Sequence, residues 1–424
     1  MQKIYLAFLG MGGKNGYEET VYTLDGKCAI KTRFVQAAEI ELIGRDYFDR
    51  VIIVVTENSK NLNYEGLIEA FKAIQMNTDI VDDPPVIISE DMSAKGQWTW
   101  FEEILKRIQK GDELTVDLTH GYRSIPIVFS TAIYFLQKAR DVRLKAVYYG
   151  AYEQDKQNPP IIDMKEFYLI NEWAEGVSRL VEDADARKIA ELSRESSGFD
   201  VKVLNNPELV QALNDLTDVI RNVDIHNVSE KVRRVLCLIA DRTSGVSSAE
   251  NMLLELLEGK FLSMSTTAPI NGYSRGYFLI QLEIIHLLLD HRLFMQAFTV
   301  MREMIGSIGL IGEKKKIFSS AGKSLRRKAD IFLAMLSYDQ ETWKFRDGNE
   351  STVDALRPMF DQMVSYGIEP ELRSFTRDLT RYRNGFDHAW TSTNGALQDI
   401  QDKGYAFYRN MESVINSLIE REMI

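Results

Sequence analysis

The segment ELTVDLTHGYRSIPIVFSTAIYFL, residues 113–136, decides the fold of the first half of the chain. Its first residues have the pattern of a buried β-strand, and the apolar residues after Ile125 indicate a helix. Between the two, residues 119–124 concentrate hydroxyl groups, an imidazole and a guanidinium. A strand that leads through a polar turn into a helix is one part of a βαβ unit. The segment therefore predicts an α/β domain with a polar turn at the carboxyl end of one strand.

The same alternation of strands and amphipathic helices continues through the first 165 residues or so. Further strands are predicted at KIYLAFLG (3–10), RVIIVVTEN (50–58), PPVIISE (84–90) and LKAVYYGAY (144–152). Such runs predict a doubly wound, mostly parallel sheet that is covered by helices on both faces. From about residue 168 onward the apolar residues follow a helical period. We expect an α/β domain at 1–167, a helical connecting region at 168–275 and an all-α bundle at 276–424.

Composition limits the function classes. The chain has 424 residues, of which 45% are hydrophobic and 27% are charged, as in a globular protein. Its net charge of −11 means that RNA or a nucleotide must be held in a local basic site. The longest apolar run, at 277–289, contains Gln281, Glu283 and His286, which argues against a membrane span. Cys28 and Cys237 predict neither a disulfide framework nor a metal site, so a cytoplasmic location is expected.

Two loops of the α/β domain are candidate ligand contacts. FLGMGGKNGY (8–17) places Gly10, Gly12 and Gly13 after the first strand, and DLTHGYR (117–123) follows another strand. In open parallel sheets ligands bind beyond the carboxyl ends of the strands, where backbone amides and helix N-termini approach an anion. Arg123 adds a cation at the start of the following helix. The glycines are equally compatible with an ordinary surface turn.

The segment RYRNGFDHAW, residues 381–390, is the candidate reaction centre of the helical half. We predict one helix from Pro370 to Trp390, in which a rotation of about 100° per residue places Asn384 and His388 on one face. Two interpretations stay open on the residues alone. In one, Arg383 and His388 act on a phosphate; in the other, Arg383 pairs with Asp387 and His388 is a partly buried structural residue.

Together, the glycine loop, the DLTHGYR turn and the RNGFDH segment resemble the type III CRISPR-associated sensors that join a CARF domain to a C-terminal HEPN domain. The resemblance implies an N-terminal domain that pairs across a twofold axis and binds a cyclic oligoadenylate, a tetra- or hexa-adenylate, in the shared cleft. The implied ligand contacts are Gly10, Met11, Gly12, Gly13, Thr119, His120, Gly121, Tyr122 and Arg123.

For the helical half, the resemblance implies a HEPN-type endoribonuclease that cleaves single-stranded RNA as a homodimer or a higher even oligomer. Arg383, Asn384 and His388 would be its catalytic residues. RNA carries its own nucleophile, the 2′-hydroxyl, so we expect no metal and no cofactor to be required. The basic segment at 313–328 either guides the RNA or is an exposed loop. Two alternatives are a ring nuclease that degrades cyclic oligoadenylate and a non-catalytic sensor that binds a partner.

Overall fold

The structure of the protein is a computed structural model. It describes residues 1–12, 16–91, 93–120, 125–152, 157–195, 201–241, 246–265, 272–313, 322–343, 349–391 and 399–424. The chain divides into two compact units, Met1–Asn171 and Glu172–Ile424.

The N-terminal unit is built on a six-stranded sheet. Its strands are β1 (Lys3–Leu9), β4 (Arg50–Val55), β5 (Val86–Ile87), β6 (Glu113–Asp117), β7 (Arg143–Gly150) and β8 (Ile161–Asp163); β2 (Thr23–Leu24) and β3 (Lys27–Cys28) form a separate hairpin. The order in the sheet is β5-β4-β1-β6-β7-β8, and all neighbouring strands are parallel except β7 and β8. From β1 the chain winds outward to β4 and β5 on one side and to β6 and β7 on the other, which confirms the doubly wound prediction.

Helices cover both faces of this sheet, because its central strands are apolar on both sides. Tyr5 and Ala7 of β1 face one apolar cluster, whereas Ile4, Leu6 and Phe8 face another. The first cluster is covered by α1 (Val35–Ile43) and by one continuous helical segment. That segment consists of α2 (Glu57–Ser59), a π-helical turn (Lys60–Tyr64) and α3 (Glu65–Ala73). The second is closed by α4 (Ala94–Arg107) and α5 (Ile125–Arg140).

In the described residues after β8, every element is helical, which confirms the prediction of an all-α region. The helices are α6 (Lys165–Asp183), α7 (Arg187–Glu195), α8 (Pro207–Arg221), α9 (Ile225–Ala240), α10 (Ser248–Phe261), α11 (Arg275–Asp290), α12 (Phe294–Ile308), α13 (Gly322–Ser337), α14 (Glu350–Ser365), α15 (Glu369–Asp387) and α16 (Ile400–Glu420). The proposed division near residue 275 stays a prediction.

An aromatic cluster joins three helices of the C-terminal unit. The ring of Phe298 on α12 lies 5.6 Å from that of Tyr382, 5.7 Å from that of Phe386 and 5.7 Å from that of Phe407. Tyr382 and Phe386 belong to α15, and Phe407 belongs to α16. Two of these contacts, those with Phe386 and Phe407, are edge-to-face, and together the rings hold the end of α15 in the bundle.

No described helix is both long and apolar enough to cross a membrane. In the same part of the chain, no three side chains of the His, Cys, Asp or Glu type come together as metal ligands would.

Candidate functional site

The predicted ligand loops leave the sheet at the same edge. Gly10, Met11 and Gly12 follow β1, and Thr119 and His120 follow β6. Since β1 and β6 are parallel neighbours, with Ala7 paired to Asp117, the two loops emerge beside each other. The structure thus brings together the candidate residues that it describes. Four other candidates, Gly13, Gly121, Tyr122 and Arg123, lie outside the described residues.

The first loop requires glycine at one position. Gly12 has a φ of +80°, and a Cβ atom there would lie 2.8 Å from the carbonyl carbon of Gly16. The residue is therefore constrained both by its left-handed backbone and by the close approach of the chain. The carbonyl oxygen of Gly10 accepts a hydrogen bond from Asn63 Nδ2 at 2.9 Å, which ties the loop to the segment after β4. Met11 is 52% exposed at the tip.

A buried polar network supports the second loop from below. The fully buried Asp117 accepts hydrogen bonds from the Thr119 amide at 2.8 Å and from Gln36 Nε2 at 2.8 Å. Gln36 Nε2 also donates to the carbonyl oxygen of Phe8 at 3.1 Å. Thr119 Oγ1 accepts from the Gly150 amide at 2.8 Å. The network therefore connects the carboxyl ends of β1, β6 and β7.

His120 is held in this site as a neutral aromatic ring. Its ring centroid lies 4.6 Å from that of Tyr17, with an angle of 48° between the ring planes. Burial lowers the pKa of His120 to about 4, and its Nε2 has no hydrogen-bond partner among the described residues. Burial raises the pKa of Asp117 to about 6. At neutral pH the loop therefore presents an uncharged imidazole above a largely ionised carboxylate.

Sequence reasoning missed several members of this site: Tyr17, Gln36, Asn63 and Gly150. Gln36 and Glu39 carried a usable signal, because both are polar residues in an otherwise mostly apolar helix, VQAAEIELI, and both are fully buried. Glu39 accepts a hydrogen bond from the Tyr5 hydroxyl at 2.6 Å. Asn63 gave no such signal, since only the fold places it against the first loop.

The candidate catalytic residues lie at the end of α15. Asn384 and His388 are exposed, and Arg383 is 26% exposed. The Arg383 guanidinium forms an ion pair with Asp387 through Nη1, and its buried Nε has no partner among the described residues. The His388 amide donates to the carbonyl oxygen of Asn384 at 3.0 Å. All three residues thus lie within the last turns of one helix and at its cap.

The predicted helix from Pro370 to Trp390 is too long. The helix ends at Asp387, and His388 is its C-terminal cap with φ −103° and ψ 19°. Ala389 and Trp390 have φ values of +48° and +58°, which no α-helix accommodates. Their amides bond back to the carbonyl oxygens of Phe386 and Gly385 and close the helix end.

The structure contains one feature that each of the two interpretations of Arg383 and His388 expects. The Arg383–Asp387 pair is the one that the structural interpretation expected. His388, however, is exposed rather than partly buried, as a group that meets a substrate needs to be.

Much of the basic segment at 313–328 lies outside the described residues, in the gap between residues 313 and 322. Of its described cations, Lys328 pairs with Glu313 and Arg327 donates to Asn349. These two side chains therefore have protein partners, and the described part of the segment favours neither the RNA-guiding nor the exposed-loop interpretation.

Two comparisons with known proteins match parts of the chain. Residues 4–153 match the model of the CARF domain of the CRISPR system endoribonuclease Csx1. The chain is also 29% identical over 111 residues to the CRISPR-associated protein MJ1674 of Methanocaldococcus jannaschii, a match that spans 22% of this chain and 18% of that protein. The CARF part of the predicted resemblance is thereby confirmed.

One solved structure resembles the chain over most of its length. It is Enterococcus italicus Csm6 bound to cyclic hexa-2′-fluoro-hexa-dAMP, with 12% sequence identity and a TM-score of 0.44. The alignment covers 99% of this chain and 95% of that chain. The HEPN part of the resemblance stays a prediction.

Proposed function

We propose that this chain, whose residues 4–153 form a CARF domain, is an endoribonuclease that cyclic oligoadenylate activates in CRISPR antiviral defence. It cleaves single-stranded RNA as a homodimer or a higher even oligomer. The observation that carries the proposal is the presence, in one chain, of a CARF domain and of exposed Asn384 and His388 beside Arg383 at the end of α15.

The sensor site lies at the carboxyl ends of β1 and β6. Backbone groups of Gly10, Met11 and Gly12 and the polar loop from Thr119 to Arg123 contact the ring. A neutral His120 suits this role, because it adds an aromatic face without the cost of burying a charge. A ring with an even number of repeats makes matching contacts on both sides of a twofold axis, which favours binding between two CARF domains.

The cleavage chemistry uses the RNA's own nucleophile. The 2′ oxygen attacks the adjacent phosphorus, the bond from phosphorus to the 5′ oxygen breaks, and a 2′,3′-cyclic phosphate forms. His388 takes the proton of the 2′ hydroxyl as a general base and gives it to the leaving 5′ oxygen as a general acid. Arg383 stabilises the charge that develops on the phosphorane, and Asn384 orients the phosphate. One motif supplies too few groups, so two chains contribute theirs to one site.

Activation requires that the ring bind the active dimer more tightly than the inactive one. A ligand with equal affinity for both states shifts no equilibrium, however tightly it binds. RNA cleavage and ring affinity are therefore coupled, and the ratio of the cleavage rates with saturating ring and without ring is a lower limit for the ratio of the two affinities.

The test is cleavage of labelled single-stranded RNA in EDTA, with cyclic tetra-adenylate, cyclic hexa-adenylate or no ring. Wild type is expected to cleave only with one of the rings, and His388→Ala to lose at least about 100-fold in rate while it still binds the ring. His226→Ala, a substitution of another exposed histidine of the helical half, is the matched control and is expected to cleave normally.

Other outcomes reject the proposal in distinguishable ways. Intact RNA under every condition rejects the nuclease function. Linear adenylate products from the ring, found by chromatography of reactions in which the RNA stays intact, identify a ring nuclease instead. Ring binding without any cleavage leaves a sensor that binds a partner.

A further inference from the structure

We infer that Gly385 and Trp390 are positioning residues that hold His388 for the reaction. This inference rests on the proposed function and adds two residues to its site. Neither side chain is assigned to the chemistry. Their role is to end α15 at a fixed residue, so that the histidine projects from a helix cap instead of from a continuing helix.

The backbone at this end has the hydrogen-bond pattern of a Schellman motif. The Ala389 amide donates to Phe386 O at 3.2 Å, and the Trp390 amide donates to Gly385 O at 2.7 Å. These are the two bonds that the motif requires when His388 is the cap residue. The Thr391 hydroxyl also donates to His388 O at 2.7 Å. The helix therefore stops at one defined position.

The backbone at this turn is unusual for its residues. Schellman motifs commonly place glycine at the left-handed position, yet this chain has Ala389 with φ +48° and then Trp390 with φ +58°. Both are conformations that residues with a Cβ seldom adopt. Packing must therefore offset the unfavourable backbone conformation of Ala389 and Trp390, and the indole ring of Trp390 provides this packing.

The indole of Trp390 lies directly on Gly385. A Cβ atom at Gly385 would come within 2.6 Å of the Trp390 ring, closer than real contacts allow. The same ring makes edge contacts with Phe386 at 5.2 Å and with Tyr382 at 6.0 Å. Glycine is thus required here because the ring covers it, and the ring stays in place because the chain turns back at Ala389.

This fit explains two features of the segment RNGFDHAW together. Gly385 lies in the interior of a helix, where glycine is otherwise unfavourable, and an aromatic residue follows the histidine by two positions. If the turn opened, the helix would extend through His388 and rotate its side chain away from its present direction. A displacement of about 1 Å can cost about 100-fold in rate.

The experiment compares four variants under the conditions that activate wild type: Gly385→Ala, Trp390→Ala, Trp390→Phe and the double variant Gly385→Ala/Trp390→Ala. The first two are expected to lower kcat by about 100-fold with little change in KM. Trp390→Phe should recover most of the rate, because its ring still covers the glycine. In the double variant the added methyl has no ring to meet, so the rate should be no lower than in Trp390→Ala alone.

Gly259→Ala is the matched control, since this glycine also lies in a helix and a Cβ atom there would meet nothing within 4 Å. It is expected to cleave normally. Hydrogen exchange of the Ala389 and Trp390 amides gives a readout that needs no cleavage. Exchange should be slow in wild type and faster in Gly385→Ala and Trp390→Ala.

The outcomes separate the inference from the proposed function. A wild-type protein that never cleaves RNA rejects both, and the exchange data then report only on the helix end. Active wild type with unchanged kcat in Trp390→Ala overturns the inference alone. The inference is also overturned if Gly385→Ala lowers kcat by the same factor in wild type and in Trp390→Ala, because the added methyl would then act without the indole.

Discussion

The two candidate sites of this chain are organised over very different distances along the sequence. The candidate ligand site of the CARF domain, here called the CARF site, lies at the carboxyl ends of β1 and β6. Hydrogen bonds join its residues over up to 81 positions of the sequence, and they involve Gln36, Asp117, Thr119 and Gly150. At the end of α15, Gly385 and Trp390 are five positions apart, and the bonds that close the helix span the same short segment. One site depends on the whole sheet, the other mainly on local sequence.

This difference has physical consequences. In the CARF domain, the buried side chains of Gln36 and Asp117 bond to each other away from water, so the loss of one leaves the other without that partner. At the helix end Asn384 and His388 are exposed and Arg383 is partly exposed, so water replaces most lost partners. Substitutions in the buried network should therefore change stability and ligand affinity together, whereas substitutions at the helix end should change the rate with little effect on stability.

The largest effect on stability is expected from Asp117→Asn, and it should depend on pH. The pKa of Asp117 is about 6 in the folded protein and 3.8 as its ordinary value. Between these values the folded state binds more protons than the unfolded state, so stability is lost as pH rises. Asparagine does not ionise, so the free energy of unfolding of the variant should gain about 3 kcal/mol over wild type between pH 3 and pH 8, a range that includes both pKa values. Urea unfolding at each pH, monitored by hydrogen exchange of the amides of β1 and β6, measures this free energy.

Asp112→Asn is the matched control at the other end of β6. Asp112 is also buried, and its two carboxylate oxygens accept from the amides of Gln2 at 2.9 Å and Gln109 at 2.8 Å. Asparagine supplies only one acceptor oxygen at either aspartate, so each variant loses one hydrogen bond whatever the pH. Only the part of the stability difference that changes with pH tests the pKa of Asp117. A difference between Asp117→Asn and wild type that is the same at both pH values would contradict the pKa argument.

Gly150→Ala should have a smaller effect, of about 1–3 kcal/mol in the free energy of unfolding. Its Cβ atom would lie 2.7 Å from Val35 Cγ2 and 3.4 Å from Thr119 Oγ1. The strand end must move to relieve this contact, and the loop after β6 moves with it. Calorimetric titration with the activating ring should therefore show weaker binding, while Gly259→Ala binds as wild type does. Unchanged binding would mean that the network does not support the ligand site.

The smallest effect is expected from Asp387→Asn at the helix end. A partly exposed pair at this spacing contributes about 0.3–0.5 kcal/mol, and a carboxylate in the last turn of a helix is opposed by the helix dipole. Stability should therefore change by less than about 0.5 kcal/mol. The cleavage rate should not fall, because Arg383 becomes free to contact phosphate.

Asp378→Asn on the same helix is its control, since it breaks the pair with Arg381 and lies outside the motif. A large loss of cleavage in Asp387→Asn, with none in Asp378→Asn, would show instead that the carboxylate orients Arg383 for the reaction.

Sequence reasoning predicted the α/β half well because its strands are short apolar runs bounded by turn residues. It predicted the loop residues Gly10 and Thr119 from their place after strands, but it missed Tyr17 and Asn63, whose positions depend on the packing of distant segments. It also extended α15 to Trp390, because helical periodicity does not register a turn that a side-chain contact enforces.

The sequence by itself determined the doubly wound α/β half and the helical half, since these depend on local periodicity. It also contains the two candidate motifs, whose residues are singled out by their resemblance to the CARF–HEPN sensors. Only the tertiary structure decided the charge states at the CARF site, because burial sets the pKa values of Asp117 and His120. It also decided where α15 ends, because the indole of Trp390 fills the space that Gly385 leaves open.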